Sequence, residues 1–156
     1  MISVVVTGAT TPIGERLIRS LIADARVAHV IAVGKESSAT ALPFSHSSRL
    51  TYLSVDLRHS RRVHDLLFGV ARDKEAEVVV HLSQHEGVYA SGRRVRAENV
   101  EALRSILDLS ERHPTIRRVI LKSFAEVYQV SLNLPVLVTE NHPLNLSPGA
   151  PQYIRD

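Results

Sequence analysis

Two glycines, Gly8 and Gly14, bound the residues that join an apolar, β-branched run to a segment with helical spacing. The run, residues 4–6, predicts a buried parallel strand, and the apolar positions after Pro12 predict a crossover helix. A tight turn between strand and helix directs backbone N–H groups and the positive end of the helix toward one point, which suits a phosphate. The dinucleotide-binding fingerprint has three glycines at this place, and Thr11 stands at the middle position. We therefore favour a dinucleotide or nucleotide phosphate site over a turn that is merely tight. The residues expected to form it are Gly8, Thr10, Thr11, Pro12, Ile13 and Gly14.

Thr11 and Pro12 alter what this turn can offer a phosphate. Pro12 has no N–H, so one donor to a pyrophosphate is absent, although proline is favoured at the first position of a helix. The hydroxyl of Thr11 is expected to remain able to donate to a phosphate.

The end of the second strand indicates the type of dinucleotide, because an acidic residue there would bind a ribose 2′-OH. Gly34 and Lys35 occupy that place, and Glu36 follows. A lysine without an acid suits a 2′-phosphate, so NADP is slightly favoured over NAD. The alternative is that Lys35 is a solvated loop residue.

The composition excludes several classes of protein. Cysteine is absent, which excludes a disulfide framework and any cysteine-based zinc site or nucleophile. Apart from the weak pair His81 and His85, which falls on a strand and a loop, the eight histidines have no metal-binding spacing, so no metal is expected. The arginine clusters have no aromatic residues between them, so we interpret them as solvated faces and expect no nucleic-acid partner. Because neither a signal peptide nor a membrane-spanning apolar run is visible, the expected location is the cytoplasm, without membrane contact.

Strand-like and helical segments alternate along the 156 residues. Further strands are predicted over 27–33, 50–55, 76–82 and 119–121, and helices over 12–25, 61–73 and 94–113. This alternation predicts an α/β fold, a doubly wound parallel sheet of the Rossmann type in three α/β/α layers. Right-handed crossovers give the strand order 3-2-1-4-5, with a ligand crevice where strands 1 and 4 diverge. We predict a dinucleotide-binding domain over residues 1–129 and an irregular tail over 130–156 that leads into a truncated catalytic helix.

Several short motifs occur in the order in which one family has them. Residues 7–14 are similar to a TGxxGxxG turn, residues 81–83 to an HLA strand end, and residues 123–128 to an SSxxVYG segment. Residues 152–156 are similar to the opening of a YxxxK motif. In combination these motifs resemble the extended branch of the short-chain dehydrogenase/reductase family, the NAD-dependent epimerases and dehydratases.

The resemblance implies roles for individual residues. Asp56 and Leu57 would lie against the adenine end of the cofactor, although Asp56 could also be only a helix cap. Leu82 and Ser83 would lie beside the nicotinamide ribose. Tyr153 would act as the acid/base, and Ser123, one place from the family's position, would replace its active hydroxyl. The implied partners are NAD or NADP and a small-molecule substrate, such as a sugar nucleotide.

Two departures from the family pattern bear on catalysis. The active Ser or Thr of the family would fall at Phe124, which has no hydroxyl, and the lysine of YxxxK would be residue 157, beyond Asp156. We therefore expect an N-terminal portion of such an enzyme that is inactive in this form. The alternative is a degenerate dehydrogenase-like module for binding, regulation or scaffolding. Apolar surface left uncovered would favour a homo-oligomer.

Overall fold

The computed structural model describes residues 1–37, 42, 46–84, 87, 89–128, 138–145 and 147–156. In this part of the chain, five strands form one parallel sheet. They are β1 Ile2–Thr7, β2 Val27–Gly34, β3 Leu50–Ser54, β4 Ala76–His81 and β5 Arg118–Leu121. Their order across the sheet, β3-β2-β1-β4-β5, confirms the predicted Rossmann-like topology.

Helices connect and cover these strands. They are α1 Pro12–Ala23, α2 Ser60–Asp65, α3 Arg93–Arg96, α4 Ala102–Glu111 and α5 Gln152–Arg155. Wider π-helical turns, Leu66–Ala71 and Ala97–Glu101, continue α2 and join α3 to α4. A 3₁₀ turn, Ala125–Val127, follows β5.

The central strands of the sheet are buried on both faces, as is typical of parallel sheets. Val4 and Val6 of β1 pack on one face with Ile18 of α1. The intervening Val5 points to the opposite face, where it shares a core with Val63 of α2 and with Ile106 of α4. Alternate residues of one central strand therefore hold the two helical layers to the sheet.

Two of the predicted helices are less regular than their apolar spacing suggested. Gly69, at φ −96° and ψ −107°, breaks the helical backbone in the second one. In the third, the π-helical turn lies between α3 and α4, and the helix ends at Glu111, before Pro114. The predicted boundary between domain and tail falls among residues 129–137, which lie outside the described residues, so it stays a prediction.

Several large apolar side chains are exposed to solvent. Ile120 and Leu121 of β5 are 46% and 42% exposed, and Ile13 of α1 is 56% exposed. Self-association through such surface stays a prediction. In the described part of the chain, no helix is both long and apolar enough to cross a bilayer.

Candidate dinucleotide site

The turn between β1 and α1 is built on two close approaches of backbone. Gly8 has φ +70°, and a Cβ there would lie 2.9 Å from the carbonyl carbon of Leu82 and from the nitrogen of Ser83. A Cβ on Gly14 would overlap the carbonyl oxygen of Gly8. Only glycine fits either place, so α1 begins directly against the turn, and the turn lies directly against the end of β4.

Thr11 caps the start of α1. Its Oγ1 accepts a hydrogen bond from the Gly14 N–H at 3.1 Å and donates one to the Gly8 carbonyl oxygen at 2.7 Å. Pro12 follows as the first helical residue, where its missing N–H costs nothing. The hydroxyl proton of Thr11 is thus engaged within the turn, and a contact of Thr11 with a phosphate stays a prediction.

Two backbone donors of the turn remain available. Within the described residues, the N–H groups of Thr10 and Ile13 have no acceptor. The N–H of Ile13 belongs to the first turn of α1, where the helix dipole favours an anion. The turn therefore keeps two N–H donors for a phosphate despite the proline.

A cleft of about 170 Å³ opens at the carboxyl ends of the strands, above this turn. It is lined by Gly8, Thr10, Thr11, Val33, Gly34, Lys35, Glu36, Val55, Leu57, Ser83 and Gln84. Among the lining residues are six that the sequence predicted: Gly8, Thr10, Thr11, Lys35, Leu57 and Ser83. Gly14 and Leu82 are buried beneath it.

The other predicted cofactor residues lie around the cleft. Pro12 and Ile13 line a separate groove along α1. Asp56 lines a neighbouring cavity, where its carboxylate accepts two hydrogen bonds from Arg58, Nε–Oδ1 at 2.9 Å and Nη2–Oδ2 at 2.6 Å. These bonds hold the pKa of Asp56 well below its usual range. Asp56 is thus paired with Arg58, its neighbour two positions along the chain.

Glu36 is the acidic residue of the cleft, and sequence reasoning missed it. Its carboxylate accepts hydrogen bonds from the Thr10 hydroxyl at 2.7 Å and from the Lys35 N–H at 3.1 Å. The Thr10 bond is the main cause of a lowered Glu36 pKa, which keeps the carboxylate ionised at neutral pH. The sequence feature that could have identified it is its position, directly after Lys35. In the structure the Glu36 carboxylate folds back over Gly34.

Lys35 forms an ion pair across the fold. Its Nζ lies 3.2 Å from Oε1 of Glu98, a buried residue in the π-helical turn before α4. The lysine charge is therefore balanced by the protein, and an acid stands beside it. The expected preference for NADP is not supported.

Thr7 and His81 form a buried link between β1 and β4 below the cleft. Thr7 Oγ1 lies 2.8 Å from His81 Nδ1 and accepts from the N–H groups of Leu82 at 3.2 Å and Ser83 at 3.4 Å. Since the hydroxyl already accepts twice, its own proton is donated to Nδ1, which leaves the imidazole proton on Nε2. Burial lowers the pKa of His81 to about 4, so this residue is a neutral part of the core.

Tyr153 and Ser123 are not among the residues that line the cleft. Ser123 is exposed, and no hydrogen bond joins it to Tyr153 within the described residues. Phe124 instead contacts the tyrosine, with ring centroids 5.1 Å apart at an interplanar angle of 82°. Lys122 Nζ lies 4.6 Å from the centroid of the Phe124 ring. The two predicted catalytic residues are thus not joined to each other, and their roles stay predictions.

The part of the chain that the structure describes gives no support for a metal site. Within the described ranges, no three His, Asp or Glu residues stand close enough to share an ion.

Comparison with known proteins places these features in a family. A family model described as the NAD dependent epimerase/dehydratase family matches residues 4–151. An uncharacterized protein of Mycobacterium bovis is 29% identical over 140 residues, which is 88% of this chain and 36% of that protein.

Solved structures share the fold over 99% of this chain. UDP-N-acetylglucosamine 4-epimerase from Methanobrevibacter ruminantium M1 matches with a TM-score of 0.78 at 24% identity, over 46% of its length. UDP-glucose-4-epimerase from Stenotrophomonas maltophila, solved with bound NAD and formylated UDP-arabinopyranose, matches with a TM-score of 0.79 at 19% identity, over 45% of its length. The chain spans less than half the length of each of these three proteins. The family model covers nearly the whole chain and agrees with the observed sheet order, and this protein belongs to the NAD-dependent epimerase/dehydratase family.

Proposed function

We propose that this chain binds NAD in the cleft above the β1–α1 turn, as the dinucleotide-binding portion of an epimerase or dehydratase. The observation that supports this most is the turn itself. A Cβ at Gly8 or Gly14 would meet the protein's own backbone, so α1 begins tightly against the end of β1. This tight strand–turn–helix geometry, with free N–H groups at the start of the helix, is the arrangement that suits a pyrophosphate.

Each part of the cofactor has residues suited to it. The N–H groups of Thr10 and Ile13 would donate to the pyrophosphate. The carboxylate of Glu36 would accept from adenosine ribose hydroxyls, Leu57 would contact the adenine, and Asp56 lies beyond it. Leu82 and Ser83 would bound the nicotinamide ribose.

The charges near the ribose favour NAD. Glu36 is ionised and lines the cleft, where it would repel a 2′-phosphate. Lys35, the residue that would attract one, is paired with Glu98. The family description, NAD dependent, agrees with this choice.

For the whole protein, we propose a sugar nucleotide as substrate, because solved relatives are named for such substrates. When bound, the nicotinamide would take or return a hydride. Tyr153 is the residue of this chain proposed to move a proton, with Ser123, one place from the family's hydroxyl position, as the proposed second catalytic residue.

Binding can be tested directly by calorimetric titration of the chain with NAD and with NADP. We expect saturable binding of NAD that is tighter than binding of NADP. Gly14→Ala should abolish it, since the new Cβ overlaps Gly8, whereas Gly149→Ala should bind normally because nothing lies within 4 Å of that position. Absence of saturable NAD binding by the natural sequence would reject the proposal.

A second candidate function is a binding or regulatory module without catalysis. Phe124 favours it, because an apolar ring replaces the expected hydroxyl and packs against Tyr153. In this case NAD would bind but no sugar nucleotide would be converted. An assay of the whole protein for NADH formation or epimerised product, with a panel of sugar nucleotides, distinguishes the two, since any turnover argues against the module.

A further inference from the structure

A second cavity, of about 280 Å³, adjoins the dinucleotide cleft at Lys35. Charged side chains from different parts of the fold converge on it: the end of β2, the β3–α2 loop, α2 and α3. It is lined by Lys35, Ser54, Asp56, Arg58, Arg62, Arg94 and Glu98. Four cationic side chains therefore face two carboxylates, an excess of two positive charges.

The two carboxylates are already engaged by cations. Glu98 Oε1 is shared by Lys35 Nζ at 3.2 Å and Arg94 Nε at 3.4 Å. The carboxylate of Asp56 is held by Arg58 through both of its oxygens. Neither acid is left to balance a further cation in the cavity.

Arg62 is that further cation. Within the described residues its guanidinium makes no hydrogen bond or ion pair. Arginine presents a planar set of donors that matches the oxygens of a phosphate, and nearby positive charges strengthen such a contact. We propose that this cavity binds a phosphate group, with Arg62 as its principal donor and Arg58, Arg94 and Lys35 as supporting charges.

Two sources could supply this phosphate. One is the 2′-phosphate of a dinucleotide that lies in the adjoining cleft and reaches the cavity past Lys35. The other is inorganic phosphate or a phosphate ester that binds independently of the cofactor. The Arg62 guanidinium and the Arg58–Asp56 pair lie outside the cleft, whereas Lys35 lines both the cleft and the cavity, so phosphate binding through Arg62 can be measured separately from NAD binding.

The test compares two neighbouring arginines. Arg61 lies in the same turn of α2 and carries the same charge. It shares a neighbouring groove with Arg62 but does not line the charged cavity. Inorganic phosphate, NAD and NADP are each titrated calorimetrically into the natural chain, Arg62→Gln and Arg61→Gln, with circular dichroism to verify folding. We expect Arg62→Gln to weaken binding of the phosphate group about tenfold, as for loss of one charged hydrogen bond, and Arg61→Gln to change it less than twofold.

The outcomes separate the sources. If NADP binds more tightly than NAD and Arg62→Gln removes the difference, the phosphate is the cofactor's, and the NAD preference proposed above is wrong. If NAD and NADP bind equally while inorganic phosphate binds in an Arg62-dependent manner, the anion is independent of the cofactor. Phosphate binding without dinucleotide binding would refute the proposed function and keep this inference. The inference is overturned if no phosphate group gains affinity from the cavity, or if both arginine variants weaken binding equally.

Discussion

Phe124 and Tyr153 are in edge-to-face contact, with ring centroids 5.1 Å apart, although they come from the segment after β5 and from α5. In the family pattern the first position has a hydroxyl and the second the acid/base. Here an apolar ring contacts the tyrosine instead, and this contact helps to hold α5 against the segment after β5. The side chain of Gln152 adds to this placement, because its amide accepts from the N–H of Gly92 at 2.7 Å and donates to the Gly92 carbonyl at 3.2 Å.

The aromatic contact predicts a measurable coupling between the two rings. A double-mutant cycle of Phe124→Ala and Tyr153→Ala, followed by urea unfolding, should give a coupling free energy of about 0.5–1.5 kcal/mol. Phe124→Ala combined with Tyr89→Ala is the control, because Tyr89 is 99% exposed and the two effects should add. Additive effects for Phe124 and Tyr153 as well would show that α5 does not contact the segment after β5.

Thr11 predicts a separation of stability from cofactor binding. Thr11→Ala removes the cap of α1 and should lower the free energy of unfolding by about 1 kcal/mol, whereas Thr11→Ser should keep it. NAD affinity should change less than twofold in both variants, because the hydroxyl bonds to Gly8 and Gly14. Urea unfolding and calorimetric titration measure the two quantities. A large loss of affinity in Thr11→Ala, with normal affinity in Thr11→Ser, would mean that the hydroxyl contacts the phosphate.

Much of the fold followed from the sequence because β-branched runs and helical spacing alternate so regularly. The valines of β1 and β4 and the glycines of the turn predicted the strands, the crossovers and the order of the sheet. Hydrophobic spacing does not report backbone geometry within a helix, so the break at Gly69 and the π-helical turn before α4 were not predicted.

The site was predicted less completely, since its contacts depend on the directions that side chains take in the loop after β2. Glu36 and Lys35 are neighbours in sequence, yet one turns back to Thr10 and the other reaches Glu98, 63 positions further along the chain. Glu98 is buried in a helical segment and has no motif that marks it as the partner of Lys35. The proposed preference for NAD depends on these side-chain positions, which local sequence reasoning does not reach.

Glu36 predicts the cofactor preference. Glu36→Gln removes the negative charge from the cleft and should weaken NAD binding about tenfold, while NADP should lose less because repulsion of its 2′-phosphate also disappears. Glu111→Gln, an exposed change at the end of α4, is the matched control and should leave both affinities unchanged. Calorimetric titration of the three proteins measures the ratio of the two dissociation constants. An unchanged ratio in Glu36→Gln would place the ribose away from this carboxylate.

His81 predicts how stability depends on pH. Burial lowers its folded-state pKa to about 4, below the usual 6.5, so the unfolded chain binds a proton more readily than the folded one. The stabilising effect is therefore complete above pH 6.5 and is lost as the pH falls toward 4, with about 2 kcal/mol lost between pH 7.5 and pH 5. Burial also lowers the pKa of His29, so His29 contributes a loss of stability in the same pH range. The contribution of His81 is therefore measured by comparing the natural chain with a variant. His81→Asn keeps a polar acceptor for Thr7 but does not titrate, and urea unfolding at the two pH values should show a smaller loss than in the natural chain. An equal loss in His81→Asn and the natural chain would mean that His81 is accessible to water and protonates without strain.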